Sequence, residues 1–195
     1  MKKILPVILV LILVLATLTA CVDPDPITLL KEKLANITTA TTVKHTIEVL
    51  AGTEQLSLQE NTYQVSGSGV QLTSKTTELN PNYPIDGVKT ITTTEEETLT
   101  VQQFHSKIPH SINLTMESLV ADSYSAIASG NTITHKMTIL PQHIAAFLEI
   151  SSDQASTITN LQVTVVEFTE YITSMTLTYQ STTGNKVTIT YSFTF

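Results

Sequence analysis

The clearest pattern in the chain lies at its end, where Val187, Ile189, Tyr191, Phe193 and Phe195 alternate with Thr188, Thr190, Ser192 and Thr194. A period of two with one apolar and one hydroxyl-bearing face predicts a strand buried on one side and wet on the other. The alternation recurs at Ile133, His135, Met137 and Ile139, then at Leu161, Val163 and Val165, and again at Met175, Leu177 and Tyr179. Upstream, Val43, His45, Ile47 and Val49 repeat it, and a less regular run extends from Thr62 to Leu79. Gly67 and Gly69 interrupt that run, which predicts a bulge or a sharp bend in a strand. The segments Asn80 to Pro84 and Ile85 to Gly87 are turn chemistry, so a new strand is expected from near Val88 towards Val101. Thr182-Thr183-Gly184-Asn185 joins the last two strands as a hairpin.

Helical spacing is confined to shorter stretches. Asp25 is placed to cap a helix with Pro26 in its first turn, and Ile27, Leu30, Leu34 and Ile37 form its apolar stripe, with Lys31, Glu32 and Lys33 on the wet side. The β-branched run from Thr38 to Thr42 is expected to end it. Pro141 to Ile150, with Ile144, Phe147 and Leu148 on one stripe, predicts a second helix lying across the sheet. Between Ile108 and Ile127 the pattern predicts a short helix starting after Asn113 or Thr115, followed by a hairpin through Ser129-Gly130-Asn131.

The predicted order is helix, several strands, a short helical segment, a hairpin, a helix and two long strands. The expected fold class is α+β and mostly β: a single curved antiparallel sheet, a half-barrel, with a few helices packed on its concave face. At 195 residues the chain has room for one domain of ordinary size, expected over 27–195.

Composition adds exclusions. Every basic residue is lysine, and the net charge of −7 becomes −9 once Lys2 and Lys3 are set aside. With no basic cluster beyond the start of the chain, nucleic acid is not an expected partner. The single cysteine excludes an intramolecular disulfide, and its position supplies another role.

Residues 1–20 carry Lys2 and Lys3, an apolar run from Ile4 to Ala16 and small or weakly polar residues up to the cysteine, the profile of a secretory signal. Leu18-Thr19-Ala20-Cys21 resembles the lipobox of bacterial lipoproteins. That resemblance implies a diacylglyceryl group on the Cys21 thiol, cleavage before it, and localisation on the extracytoplasmic face of the cell membrane. The alternative for the apolar run is an uncleaved anchor, since its length is close to the shortest that spans a bilayer. Residues 21–26 then form the lipidated cysteine and a short Pro/Asp spacer of about 3 Å per residue.

The element order, together with the lipobox, resembles the LolA/LppX-like lipoproteins, in which a half-barrel sheet closes over a few helices around an apolar cavity. The resemblance implies a membrane-anchored protein that binds or carries a lipid or other hydrophobic molecule, and the chain is expected to be non-enzymatic and monomeric. It carries over no residue role. The inward positions Met137, Ile139, Val163, Val165, Met175, Leu177, Ile189, Tyr191 and Phe193 are placed either to line a hydrophobic pocket or to interlock as a solid core. The alternative function is a surface module that presents the threonine-rich sheet face to an envelope protein or glycan.

Other chemistry has less support in the sequence. The five histidines match no zinc spacing, so no metal and no cofactor is expected. Glu95-Glu96-Glu97 reads as a solvated or edge-strand charge run whose neighbours point to opposite faces. No Gly-x-Ser-x-Gly elbow or phosphate-binding glycine loop occurs.

Overall fold

A computed structural model describes residues 25–195 except 68, 84 and 86. The leader, the Cys21 lipidation site and most of the spacer lie outside the described residues. Among the described residues no helix is long and apolar enough to cross a membrane.

Helix α1 (Pro26–Ala35) starts as its sequence predicts: the Asp25 side chain accepts from the Ile27 amide at 3.3 Å, and Pro26 occupies the first turn. It runs on into a 3₁₀ turn, Asn36–Thr39, so the threonine-rich stretch tightens the helix before ending it. Ile27, Leu30, Leu34 and Ile37 are all buried.

Nine strands follow: β1 (Thr42–Ala51), β2 (Glu54–Ser66), β3 (Gly69–Leu79), β4 (Thr90–Thr100), β5 (Ser125–Ser129), β6 (Thr132–Thr138), β7 (Ile158–Phe168), β8 (Tyr171–Ser181) and β9 (Lys186–Thr194). They form one antiparallel sheet in the order β4-β3-β2-β1-β9-β8-β7-β6-β5. Two up-and-down meanders, β1 to β4 and β5 to β9, are thus joined through the pairing of β1 with β9. The architecture is mostly β, a single large antiparallel sheet with a few helices packed against it.

Three local expectations are corrected. Gly67 does not bend a strand. It stands at φ +57° in the tight turn between β2 and β3, a backbone conformation that glycine adopts without a Cβ penalty. Three long strands, not two, follow the last helical segment, because β7 and β8 form a hairpin around Thr169, itself at φ +57°. The helix over Pro141 to Ile150 is broken into a 3₁₀ turn (Pro141–His143) and α3 (Ile144–Leu148), which ends where Glu149 takes a left-handed conformation.

A five-residue helix, α2 (Val101–His105), follows β4 where the strand pattern had run out. Thr100 and Gln103 close a capping box that starts it. Between Ile108 and Ile127 a 3₁₀ turn, Met116–Ser118, forms in place of a short helix, and the β5–β6 hairpin follows as expected. A further single turn, α4 (Ser152–Ala155), precedes β7.

Register places the two faces. On one, Phe104 of α2 packs on Tyr63 of β2 with ring centroids 5.5 Å apart, and Lys33 of α1 reaches Glu167 of β7. Helices α1 and α2 therefore cover the same, inner face. The opposite face carries the predicted hydroxyl rows, and pairing aligns Thr164, Thr176, Thr190 and Thr46 across four neighbouring strands.

Candidate functional site

The inner face changes character along a single row of paired residues. From β6 to β4 the row reads His135, Val165, Met175, Tyr191, His45, Asn61, Ser74 and Glu95. His135, Val165 and Met175 are buried, Tyr191 and His45 are half-buried, and beyond the buried Asn61 the row opens towards β4 through Ser74 and Glu95. The next row, Leu177, Ile189, Ile47, Gln59, Thr76 and Thr93, repeats the change. In a third row Tyr179, Val187, Val49, Ser57, Glu78 and Ile91 lie side by side, and Ile91 is 47% exposed. Ile47, Val49, Tyr179 and Ile189 are only half-buried. The inner face thus combines a closed apolar half with an open strip of apolar and amide-bearing side chains.

The nine inward residues named from the sequence separate accordingly. Met137, Ile139, Val163, Val165 and Phe193 are buried within the packed core, as are Met175 and Leu177; Ile189 and Tyr191 lie at its margin. Met175, Leu177 and Tyr191 also border a cleft of about 150 Å³, which Ile108, Ile112 and Phe147 line as well. A second cleft of about 200 Å³ lies on the other side of the transition, lined by Gln59, Asn61, Tyr63, Leu72, Ser74, Glu95, Glu97 and Lys107. Lys107 borders both. The segment after α2 therefore lies along the boundary between them.

His45 sits at that boundary. Its ring stacks on Tyr191 with centroids 4.3 Å apart and parallel planes, and Tyr191 stacks in turn on Phe193 at 6.4 Å. Asn61 lies 3.4 Å from His45 Nδ1, while Gln59 Nε2 donates to Asn61 Oδ1 at 3.4 Å. Burial pushes the imidazole down to about 4, so the ring is neutral near neutral pH. Its Nε2 is buried without a hydrogen-bond partner among the described residues. Burial also pushes the Tyr191 hydroxyl up to about 12, with Tyr63 adding to the effect.

The other histidine of the same row is held differently. His135 Nδ1 lies 3.0 Å from the Tyr124 hydroxyl, and its Nε2 is 3.5 Å from Glu167 Oε2, in charge-contact range without hydrogen-bond geometry. Glu167 is 4% exposed and pairs with Lys33. Lys33, read from the sequence as part of the wet face of α1, thus turns inward and ties the helix to the sheet. Burial, then Asp25 and Glu167, raises the Tyr124 hydroxyl, which places Asp25 at the start of α1 within the field of this cluster.

Glu95-Glu96-Glu97 lie exposed on the edge strand β4, as expected from the sequence. Glu95 and Glu97, two residues apart, share the inner face and border the second cleft, and Glu96 points away. Among the described residues no group of three or more His, Cys, Asp or Glu is arranged to hold a metal ion. His45, Asn61 and Lys107 are the site residues that reading the sequence missed. The available signal was His45 itself, a histidine in phase with Val43, Ile47 and Val49.

No family model matches the chain, and no curated protein matches it. Among solved structures, a redesigned β-barrel, mFAP1, bound to DFHBI is similar over 82% of this chain and 98% of that one, at 10% identity and a TM-score of 0.21.

Proposed function

We propose that the protein is a membrane-tethered extracytoplasmic binding protein whose inner sheet face, curved as a half-barrel, takes up a lipid or other hydrophobic molecule without chemical change. The observation that carries this reading is the open apolar strip of Ile47, Val49, Ile189 and Tyr179 beside the cleft at Tyr191, Met175 and Leu177. Half-buried aliphatic side chains on a concave surface gain by covering, at roughly 25 cal/mol per Å² of apolar area removed from water. Tethering through Cys21 fits the place where α1 begins. Asp25 follows four residues later, which limits the span to about 14 Å at ~3.5 Å per residue.

Native mass spectrometry of the full chain, with solvent extraction and lipid analysis, tests the proposal. Near one equivalent of a co-purifying apolar molecule is the expected result. A clean apo mass, with no uptake of added fluorescent fatty acid, would contradict it.

A second reading rests on the opposite face, where Thr164, Thr176, Thr190 and Thr46 form one hydroxyl row. A surface module for an envelope protein or glycan would lose binding on Thr190→Lys while the inner face kept its ligand.

A further inference from the structure

We infer that His45 supplies the polar anchor of the inner-face site, and that the molecule it selects is uncharged, with a long apolar chain ending in a hydroxyl or carbonyl group. The inference rests on the binding reading above and specifies its ligand.

The argument starts from proton positions. Gln59 donates to Asn61 Oδ1, so the Asn61 amide nitrogen is the atom turned to His45, where it donates to Nδ1. With Nδ1 accepting, the single proton of the neutral ring sits on Nε2. That Nε2–H is buried and has no acceptor among the described residues. A buried unpaired donor is costly, and such groups in native proteins call for an explanation. An incoming oxygen acceptor supplies one.

Stacking on Tyr191 fixes the ring plane, so the donor direction is set before any ligand arrives. Beside it the apolar strip Ile47–Ile189 continues along β1 and β9, in position for the chain of the ligand.

Charge selects against an anion. The adjoining cleft holds two carboxylates, Glu95 and Glu97, against one ammonium, Lys107. A neutral imidazole needs no charged acceptor, and Lys107 is the one cation among the residues that line the cleft.

The 106–112 segment borders the site and, among the described residues, has no hydrogen bond to the sheet. Its amides bond within the segment and α2: Lys107 to Phe104, Ile108 to His105 and His110 to Ile108. Only packing, chiefly of buried Ile108, holds it down. Displacing it would open the inner face between the two clefts, which Tyr191 lines on one side and Asn61 on the other.

Three twelve-carbon probes test this on the full chain in amphipol: dodecan-1-ol, dodecane and dodecanoate. Dodecanol is expected to bind about tenfold more tightly than dodecane, the worth of one well-formed hydrogen bond, and more tightly than dodecanoate. His45→Phe, which keeps the stacked ring and removes the donor, is expected to abolish the preference for dodecanol over dodecane. In the unmutated protein, nitrogen NMR of labelled histidine reads the same contact, with the Nε2–H signal of His45 shifting on addition of dodecanol and not of dodecane. Equal binding of dodecanol and dodecane, a preference that survives His45→Phe, or tighter binding of dodecanoate would each overturn this inference and leave the wider binding reading standing. Failure of all three probes to bind would end both.

Discussion

The two histidines of one inner-face row show how differently the halves of the sheet are built. His135, on the closed side, meets the Tyr124 hydroxyl through Nδ1, while its Nε2, which makes no hydrogen bond among the described residues, lies 3.5 Å from the Glu167 carboxylate. His45, on the open side, ends a chain of amides with a donor that has no hydrogen-bond partner among the described residues. The closed half sets a carboxylate beside the unbonded nitrogen of its histidine, whereas the open half leaves His45 Nε2 without a hydrogen-bond partner among the described residues. Incompleteness in a buried polar network is costly, which is why it points to binding while the closed half points to stability.

Substitutions in that row should separate the halves most sharply. Val165→Asp buries a carboxylate in the packed half and is expected to cost about 4 kcal/mol or more, enough to unfold much of the population; chemical denaturation measures it. Met175→Ala, at a fully buried site, should cost about 3 kcal/mol through lost contact and a residual cavity. Across the boundary, Ser74→Val should change stability by less than about 0.5 kcal/mol, because that position is half-exposed.

Acidity provides an intermediate effect. In the folded protein His45 resists protonation down to about pH 4, whereas in the unfolded chain it protonates near its ordinary 6.5. The unfolded state therefore binds the proton first as pH falls, and stability drops between about pH 6.5 and 4. The loss attributable to His45 is about 2 kcal/mol after allowance for its residual exposure, and His45→Phe should remove that part of the slope in urea titrations at stepped pH. Glu167→Gln is expected to cost about 2 kcal/mol, less than for a fully buried pair because Lys33 is a third exposed. Its signature is early loss of amide protection in α1.

Much of this architecture was legible in the sequence. Strict alternation gave the strands of the C-terminal meander, and Asp25-Pro26 gave the start of α1, since both depend on local spacing and capping. The β2–β3 turn was misread because a glycine pair serves a bulge and a tight turn equally well, and strand pairing alone decides between them. Helix α2 escaped because five residues are too few for a helical period to appear. The candidate site was harder to see for the same reason. His45, Asn61 and Tyr191 lie on β1, β2 and β9, and the meeting of residues 45 and 191 is a product of the β1–β9 pairing that joins the two ends of the fold. Lys33 looked solvated because its partner stands 134 positions away.

Photo-crosslinking tests the central claim, that the inner face of the sheet is the binding surface, most directly. The full chain would be irradiated with a diazirine-bearing long-chain alcohol and the labelled peptides mapped. The account predicts adducts on β1 and β9 around Ile47 and Tyr191 and on residues 106–112, competed away by unlabelled alcohol. Labelling confined to the threonine rows of the outer face, or none that unlabelled alcohol displaces, would contradict it.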